Sequence, residues 1–213
     1  GVRVSVPQQQ CCGMPFADSG AMPQTLAKVR ANVATLSSSI QQGCDLVIPS
    51  PSCSLMIKQE YPELLPSEET KLIAKHAFDS SEYLWKLQSE HALNTDFSNT
   101  EFTSHVKRIA YHVPCHIRAQ FMGNKSANLM ELIPGITVEQ VEQCSHHDGT
   151  WGLRKDSHQT SLHYAEKLFR AMRENEADLF ATDCPLASLQ IEQGTQTKPV
   201  HPIQVLKEAY GIQ

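Results

Sequence analysis

Six of the seven cysteines in this 213-residue chain stand where loops meet strands or helices, and they carry its chemistry. Cys11 and Cys12 are adjacent and followed by Gly13; Cys53 follows Pro49 and Pro51; Cys115 and Cys184 abut Pro114 and Pro185, and Cys144 follows Gln143. Grouped thiols have three uses: ligating iron–sulfur clusters, ligating zinc, or thiol–disulfide chemistry at sulfur itself. Structural zinc draws on closely spaced cysteine pairs of the Cys-x-x-Cys kind, and this sequence has none. Adjacent cysteines cannot face the same way along a strand, because successive side chains alternate. In a loop they can reach two irons of one cluster. A disulfide between neighbours would be strained, which leaves thiol–disulfide exchange open without favouring it.

The thiol unit is written twice. Gln10-Cys11-Cys12 is followed by a helical stretch, by Asp45-Leu46-Val47-Ile48, and by Cys53-Ser54-Leu55-Met56-Ile57-Lys58-Gln59. Gln143-Cys144-Ser145 is followed by a helical stretch, by Asp178-Leu179-Phe180-Ala181, and by Ala187-Ser188-Leu189-Gln190-Ile191-Glu192-Gln193. Cys11 recurs 133 residues on as Cys144, and Ser54 recurs 134 residues on as Ser188. A duplication that keeps thiols at loop positions makes the thiols the reason for the unit.

Composition narrows the function. An odd count of cysteines in a chain too long to need disulfide staples argues for a reducing compartment with metal-binding or catalytic thiols. The net charge of −5 offers no basic field for a phosphate backbone, so nucleic acid is excluded as a partner. No apolar run reaches the roughly 20 residues that span a bilayer, so membrane contact must come through a partner.

The elements that position the thiols follow from periodicity. Val2, Val4 and Val6 alternate as a strand would. Leu26, Val29, Val33, Leu36 and Ile40 mark a helix that Gly43 stops, and residues 45–48 read as a strand leading through a proline turn to Cys53. Helical patterns occupy 71–78 and 82–87, and the polar run 94–99 marks a lobe boundary near residue 100. Strands at 109–113, 136–141 and 179–181 precede Cys115, Cys144 and Cys184, with helices at 121–132, 162–172 and 203–209. The expected fold is α/β, with two similar βαβ-containing lobes (1–100 and 101–213), small parallel sheets and a pseudo-two-fold duplication. Loops at the carboxyl ends of parallel strands gather on one edge, so Cys115, Cys144 and Cys184 should converge, as should Cys11, Cys12 and Cys53. Cys44 reads as a buried small hydrophobe and Trp151 as core; Phe16, Tyr83 and Trp85 read as packing, Asp148 and Asp183 as helix caps, and Gly13 and Gly149 as positions demanding an unusual backbone.

The blocks Cys11-Cys12-Gly13-Met14-Pro15, Pro51-Ser52-Cys53, His112-Val113-Pro114-Cys115-His116, Gln143-Cys144, Gly149-Thr150-Trp151-Gly152 and Asp183-Cys184-Pro185 together resemble the duplicated cysteine-rich CCG domain. That domain occurs in one of the subunits of heterodisulfide reductase, in iron–sulfur subunits of glycolate and lactate oxidation systems, and in the iron–sulfur subunit of anaerobic glycerol-3-phosphate dehydrogenase. The likeness is greatest to the last group, through Gly149-Thr150-Trp151-Gly152, Leu189-Gln190-Ile191-Glu192 and His201-Pro202-Ile203. The resemblance implies a module carrying electrons through iron–sulfur clusters, of the 4Fe-4S type, with Cys11, Cys12 and Cys53 as ligands in one lobe and Cys115, Cys144 and Cys184 in the other. It implies a flavoprotein dehydrogenase as donor, a quinone- or membrane-linked or disulfide acceptor, and a cytoplasmic location, peripheral to the membrane through a partner. The chain departs from the family pattern of an upstream Cys, Cys-Cys-Gly and Cys-x-x-Cys in each half. Ser50, Ser145 and Ala187 stand at cysteine positions, and the first half's upstream Cys falls about 19 residues before position 1, as in the C-terminal part of a longer protein. With three thiols left in the second half, His147 is the first candidate for a fourth ligand and His146 the second, and an imidazole there would raise the reduction potential. His116 is expected to donate a hydrogen bond to a sulfur. Two other readings stay open: a degenerate CCG fold holding zinc or no metal as a docking module, and a Cys11–Cys12 thiol–disulfide oxidoreductase.

Overall fold

The computed structural model describes residues 2–97 and 101–212, so the expected boundary near residue 100 lies outside the described residues. Contacts divide the chain into two units, Gly1–Asp79 and Ser80–Gln213.

In the first unit Gly13 takes φ 100°, a left-handed turn from the Cys11-Cys12 loop into α1 (Met14–Asp18). The long helix α2 (Met22–Gln41) follows, burying Val29, Leu36 and Ile40 on one face, and Gly43 at φ 83° lies just beyond its end. Strand β1 (Leu46–Ile48) runs into α3 (Pro51–Leu55), which continues through a π-helical turn (Met56–Glu60) into α4 (Tyr61–Leu64). Helix α5 (Glu68–His76) begins with a Ser67–Thr70 capping box and delivers β2 (Ala77–Asp79), parallel to β1 with Val47 opposite Phe78. The helix expected over 71–78 thus gives way to a strand, too short for its alternation to show. The strand expected at Val2, Val4 and Val6 does not form. These side chains are exposed, and alternation makes a strand only where a neighbouring ladder and a core receive it.

In the second unit the order is α6 (Ser80–Ser89), α7 (Phe102–His105), β3 (Arg108–His112), α8 (Cys115–Ala119), α9 (Lys125–Met130), β4 (Thr137–Val141), a 3₁₀ turn (Trp151–Leu153), α10 (His158–Glu174), β5 (Leu179–Thr182), α11 (Pro185–Thr195) and α12 (Pro202–Ala209). The sheet order is β4-β3-β5, wholly parallel, with β3 central and Ala181 of β5 bridging onward to Val200. Alternate β3 residues serve two cores. Ile109 and Tyr111 pack with Leu129 and Met130 of α9, Leu206 of α12, and Leu84 and Trp85 of α6. Ala110 faces Leu168, Phe169 and Met172 of α10 and Ile191 of α11. Covering both faces with helices is what an all-parallel sheet requires. The single helix expected over 121–132 is broken, because Phe121 (φ 53°) and Gly123 (φ 75°) are left-handed.

Candidate metal centre

In the second unit three adjacent parallel strands end beside a thiol: β3 before Cys115, β4 before Cys144 and β5 before Cys184. Cys115 and Cys144 are exposed and Cys184 is buried. Loss of water pushes the Cys115 thiol up, and the nearness of Cys144 pushes it further. Burial does the same at Cys184, with Cys115 and Asp183 adding to it, against the amides of Ala187 and Leu186. Cys115 therefore senses Cys144, and Cys184 senses Cys115. Cys184 also caps α11, its Sγ accepting from the Ala187 N–H at 3.5 Å, with Pro185 in the first turn.

The loop after Cys144 bends sharply: His146 (φ 55°), Asp148 (φ 44°) and Gly149 (φ 56°) are all left-handed. His147 is buried, and its Nδ1 donates to the Gly149 carbonyl at 3.0 Å. A carbonyl can only accept, so the neutral ring carries its lone pair at Nε2, 3.6 Å from Cys184 Sγ. His146 instead turns its ring toward Tyr164, 5.8 Å between centroids, while its N–H donates to Cys144 Sγ at 3.3 Å. His116 reaches the Cys115 sulfur through its main-chain N–H.

Residues to which the sequence assigned no role hold these loops, although His112, Gln190 and Gly152 lie within the motif blocks. His112, buried at the end of β3, donates from Nε2 to the Gln143 carbonyl (3.1 Å) and accepts at Nδ1 from Thr182 Oγ1 (2.9 Å). Thr182 Oγ1 in turn accepts from the Cys184 N–H at 3.4 Å. Burial pulls His112 down to about 4, helped by His147 and Arg118 and opposed by the Gln143 carbonyl. Gln190 Nε2 donates to the Ser145 carbonyl (2.8 Å) and to Ser161 Oγ (2.7 Å), and Ser161 Oγ donates to the His146 carbonyl (2.7 Å). Gly152 donates its N–H to the His147 carbonyl at 2.7 Å. A Cβ there would lie 2.5 Å from Ser161 Oγ and 2.8 Å from His147 Cα, so only glycine fits. Asp183 is not a helix cap. It is buried and accepts from Tyr111 Oη (2.5 Å) and Ser126 Oγ (2.6 Å), while the cap is Cys184. Nor does Asp148 cap: it is exposed, the 3₁₀ turn's cap is Thr150 and that of α10 is Ser157. Trp151 is 38% exposed rather than core, lifted outward by the same 3₁₀ turn.

In the first unit Cys12 is buried and donates its S–H to Cys53 Sγ, which also receives a hydrogen bond from Ser50. The pair shares its charge unequally: the Cys12 thiol is pushed up, first by that bond and then by burial, while Cys53 is lowered to about 7. Cys11 is exposed. Cys44 is exposed too, not buried, because it follows the left-handed Gly43 beyond the last turn of α2. Asn32 Nδ2 donates to the Cys11 carbonyl (3.0 Å) and to Tyr61 Oη (3.0 Å), and Tyr61 Oη donates to the Cys12 carbonyl (2.9 Å). The signal for Asn32 in the sequence was a polar residue within the stripe of Val29 and Leu36.

Among the described residues no three or more His, Cys, Asp or Glu side chains assemble as a site for a single metal ion. A lone zinc draws four ligands to about 2.3 Å, whereas a cluster spreads its thiolates over several irons and accepts wider spacing. The donor set, three thiols at neighbouring strand ends plus the His147 imidazole nitrogen beside Cys184, suits the second arrangement. No described helix is long and apolar enough to cross a membrane.

Comparison with known proteins adds two findings. The family model for the CCG cysteine-rich domain matches residues 1–58 and 109–192, more than half of the chain. The chain is 28% identical over 204 residues to the C subunit of the anaerobic glycerol-3-phosphate dehydrogenase of Escherichia coli, covering 95% of this chain and 50% of that protein. It is 26% identical over 197 residues to lactate utilization protein A of Halalkalibacterium halodurans (86% and 74%), and 25% identical over 222 residues to lactate utilization protein A 1 of Bacillus mycoides (96% and 82%). The chain thus spans about half the length of the glycerol-3-phosphate dehydrogenase polypeptide it matches.

Proposed function

The chain belongs to the CCG cysteine-rich domain family, and from that premise we propose that it is an iron–sulfur electron-transfer module of a dehydrogenase. One observation carries the proposal: Cys115, Cys144 and Cys184 follow the ends of three neighbouring parallel strands, with Cys144 near enough to push up the Cys115 thiol and Cys115 near enough to push up that of Cys184, a repulsion that a cationic iron core relieves. Cys115, Cys144 and Cys184 would hold a 4Fe-4S cluster, with His147 Nε2 as the fourth donor. Cys11, Cys12 and Cys53 would hold a second one in the first unit, lobes 1–100 and 101–213 each serving one cluster. When bound, such a cluster takes up and releases single electrons. The chain's part is to orient the ligands, to fix the His147 tautomer through Gly149, and to bury Cys184 and Cys12 while leaving Cys11, Cys115 and Cys144 at the surface.

The names of the similar proteins, a glycerol-3-phosphate dehydrogenase subunit and a lactate utilization protein, support a partner that oxidises a polyol phosphate or hydroxy acid; a flavin in that partner and a quinone- or membrane-linked acceptor complete the proposal. The location would be cytoplasmic, at the membrane only through that partner. A second reading has the Cys12–Cys53 contact in its favour: both thiols would form one disulfide while a substrate disulfide is cleaved to two thiols.

Anaerobic reconstitution with iron and sulfide, followed by iron analysis and electron paramagnetic resonance, separates these. Cys144→Ser and Cys184→Ser are expected to lower the iron bound per chain, and Cys44→Ser to leave it unchanged. Equal iron loss at Cys44 overturns the assignment. Protein that takes up no iron, but loses two thiols on oxidation unless Cys12 or Cys53 is replaced, supports the second reading.

A further inference from the structure

Both units solve one geometric problem in the same way with different residues. Each has a thiol loop whose first cysteine, Cys11 or Cys144, lies exposed at the start of an irregular stretch of main chain. In each, the carbonyl of the next residue points inward and is held by a buried side chain from a later helix: Cys12 O by Tyr61 Oη of α4, and Ser145 O by Gln190 Nε2 of α11. In each, that side chain is braced by a polar group on the first long helix after the thiol loop, Asn32 of α2 donating to Tyr61 and Ser161 of α10 accepting from Gln190. The brace also takes a neighbouring carbonyl, Cys11 O in one unit and His146 O in the other. Cys12 and Ser145 are equivalent in the repeat, both following the first cysteine.

We propose that Tyr61 with Asn32, and Gln190 with Ser161, are the positioning residues of the two thiol loops, anchoring the main chain just beyond Cys11 and Cys144 and so limiting where their sulfurs can lie. Three of these four side chains lie on helix faces that otherwise bury apolar residues, and a buried polar group is costly unless it is bonded. Their common product is a carbonyl pinned one residue beyond a cysteine. Pinning that carbonyl fixes the peptide plane that follows Cys12 or Ser145, so the main chain is anchored one residue beyond Cys11 and Cys144 and the swing of those cysteines is limited. Tyr61 and Asn32 share no side-chain type with Gln190 and Ser161, so the recurrence lies in the contact and not in the residues. The assignment rests on the reading of the thiols as ligands only for its purpose; the geometry is that of the bare chain.

The test uses the full chain, metal-free and reduced, with iodoacetamide alkylation rates followed at each cysteine by mass spectrometry. Tyr61→Phe removes only the hydroxyl. It is expected to raise the alkylation rate of Cys12 on the order of tenfold, the factor one ordinary hydrogen bond makes in a local opening, and to change that of Cys11, while Cys115, Cys144 and Cys184 keep theirs. Gln190→Met is expected to change Cys144 and leave Cys11 and Cys12 alone. Unchanged rates at the loop of the altered unit, with the melting temperature of that unit lowered, would make the pairs structural only and overturn the proposal. If Tyr61→Phe fails to fold, Asn32→Asp, which keeps an acceptor and loses the donors, carries the same comparison. Iron uptake then decides separately: altered alkylation with no iron in any variant keeps the positioning role and removes the cluster reading.

Discussion

Three residues before Cys115, His112 sits where an imidazolium has no place. Its Nε2–H is spent on the Gln143 carbonyl and its Nδ1 accepts from Thr182, with His147 and Arg118 adding unfavourable charge. The folded ring titrates near about 4 against about 6.5 unfolded, so between these values the unfolded chain binds the extra proton. The contribution is fully present above about pH 6.5 and is lost as pH falls toward 4, amounting to about 3 kcal/mol at the acid end. Urea unfolding of the metal-free chain between neutral pH and pH about 4.5 should show this loss. In His112→Gln the same decline should be shallower by close to one proton; an equal slope in both proteins would mean that His112 is not the group responsible.

At the scale of elements, α10 and α11 are packed with no room between them. A Cβ on Gly194 of α11 would lie 2.2 Å from the Phe169 ring of α10. Gly194→Ala should therefore destabilise by about 1–3 kcal/mol, even though alanine favours the helix, and Phe169→Leu should recover part of that loss when combined with it. A double variant no better than the sum of the two single changes would remove this contact as the cause. The strands β1, β3, β4 and β5, helices α2, α10 and α12, and the thiols at strand ends were legible, because apolar periodicity and proline or glycine punctuation are local properties. The strand β2, the break at Phe121, the exposed Cys44 and the outward Trp151 were not, since each depends on a partner segment or a left-handed residue. The roles of the loop holders His112, Asn32, Tyr61, Ser161 and Gln190 were hidden too, although His112 and Gln190 lie in the motif blocks and Asn32 interrupts an apolar stripe. Each is an ordinary polar residue until the fold brings a carbonyl or hydroxyl to it.

Over the whole molecule, stability is divided between two compact units, each with its own core. Ile73 is fully buried in the first, among Val29, Leu36 and Tyr61. Gly152 closes the second unit's thiol loop against His147 and Ser161. Chains with separate cores depart from two-state unfolding, so calorimetry of the metal-free protein should show two transitions. Ile73→Val removes one buried methyl group and should cost about 0.5–1.5 kcal/mol, shifting only one transition by several degrees. Gly152→Ala must push a main-chain atom as well as a hydrogen-bonded hydroxyl, at about 1–3 kcal/mol, and should shift only the other. A single transition lowered by both changes alike would show that the units melt as one cooperative body. The duplicated thiol loops would then share a common stability instead of each depending on its own unit.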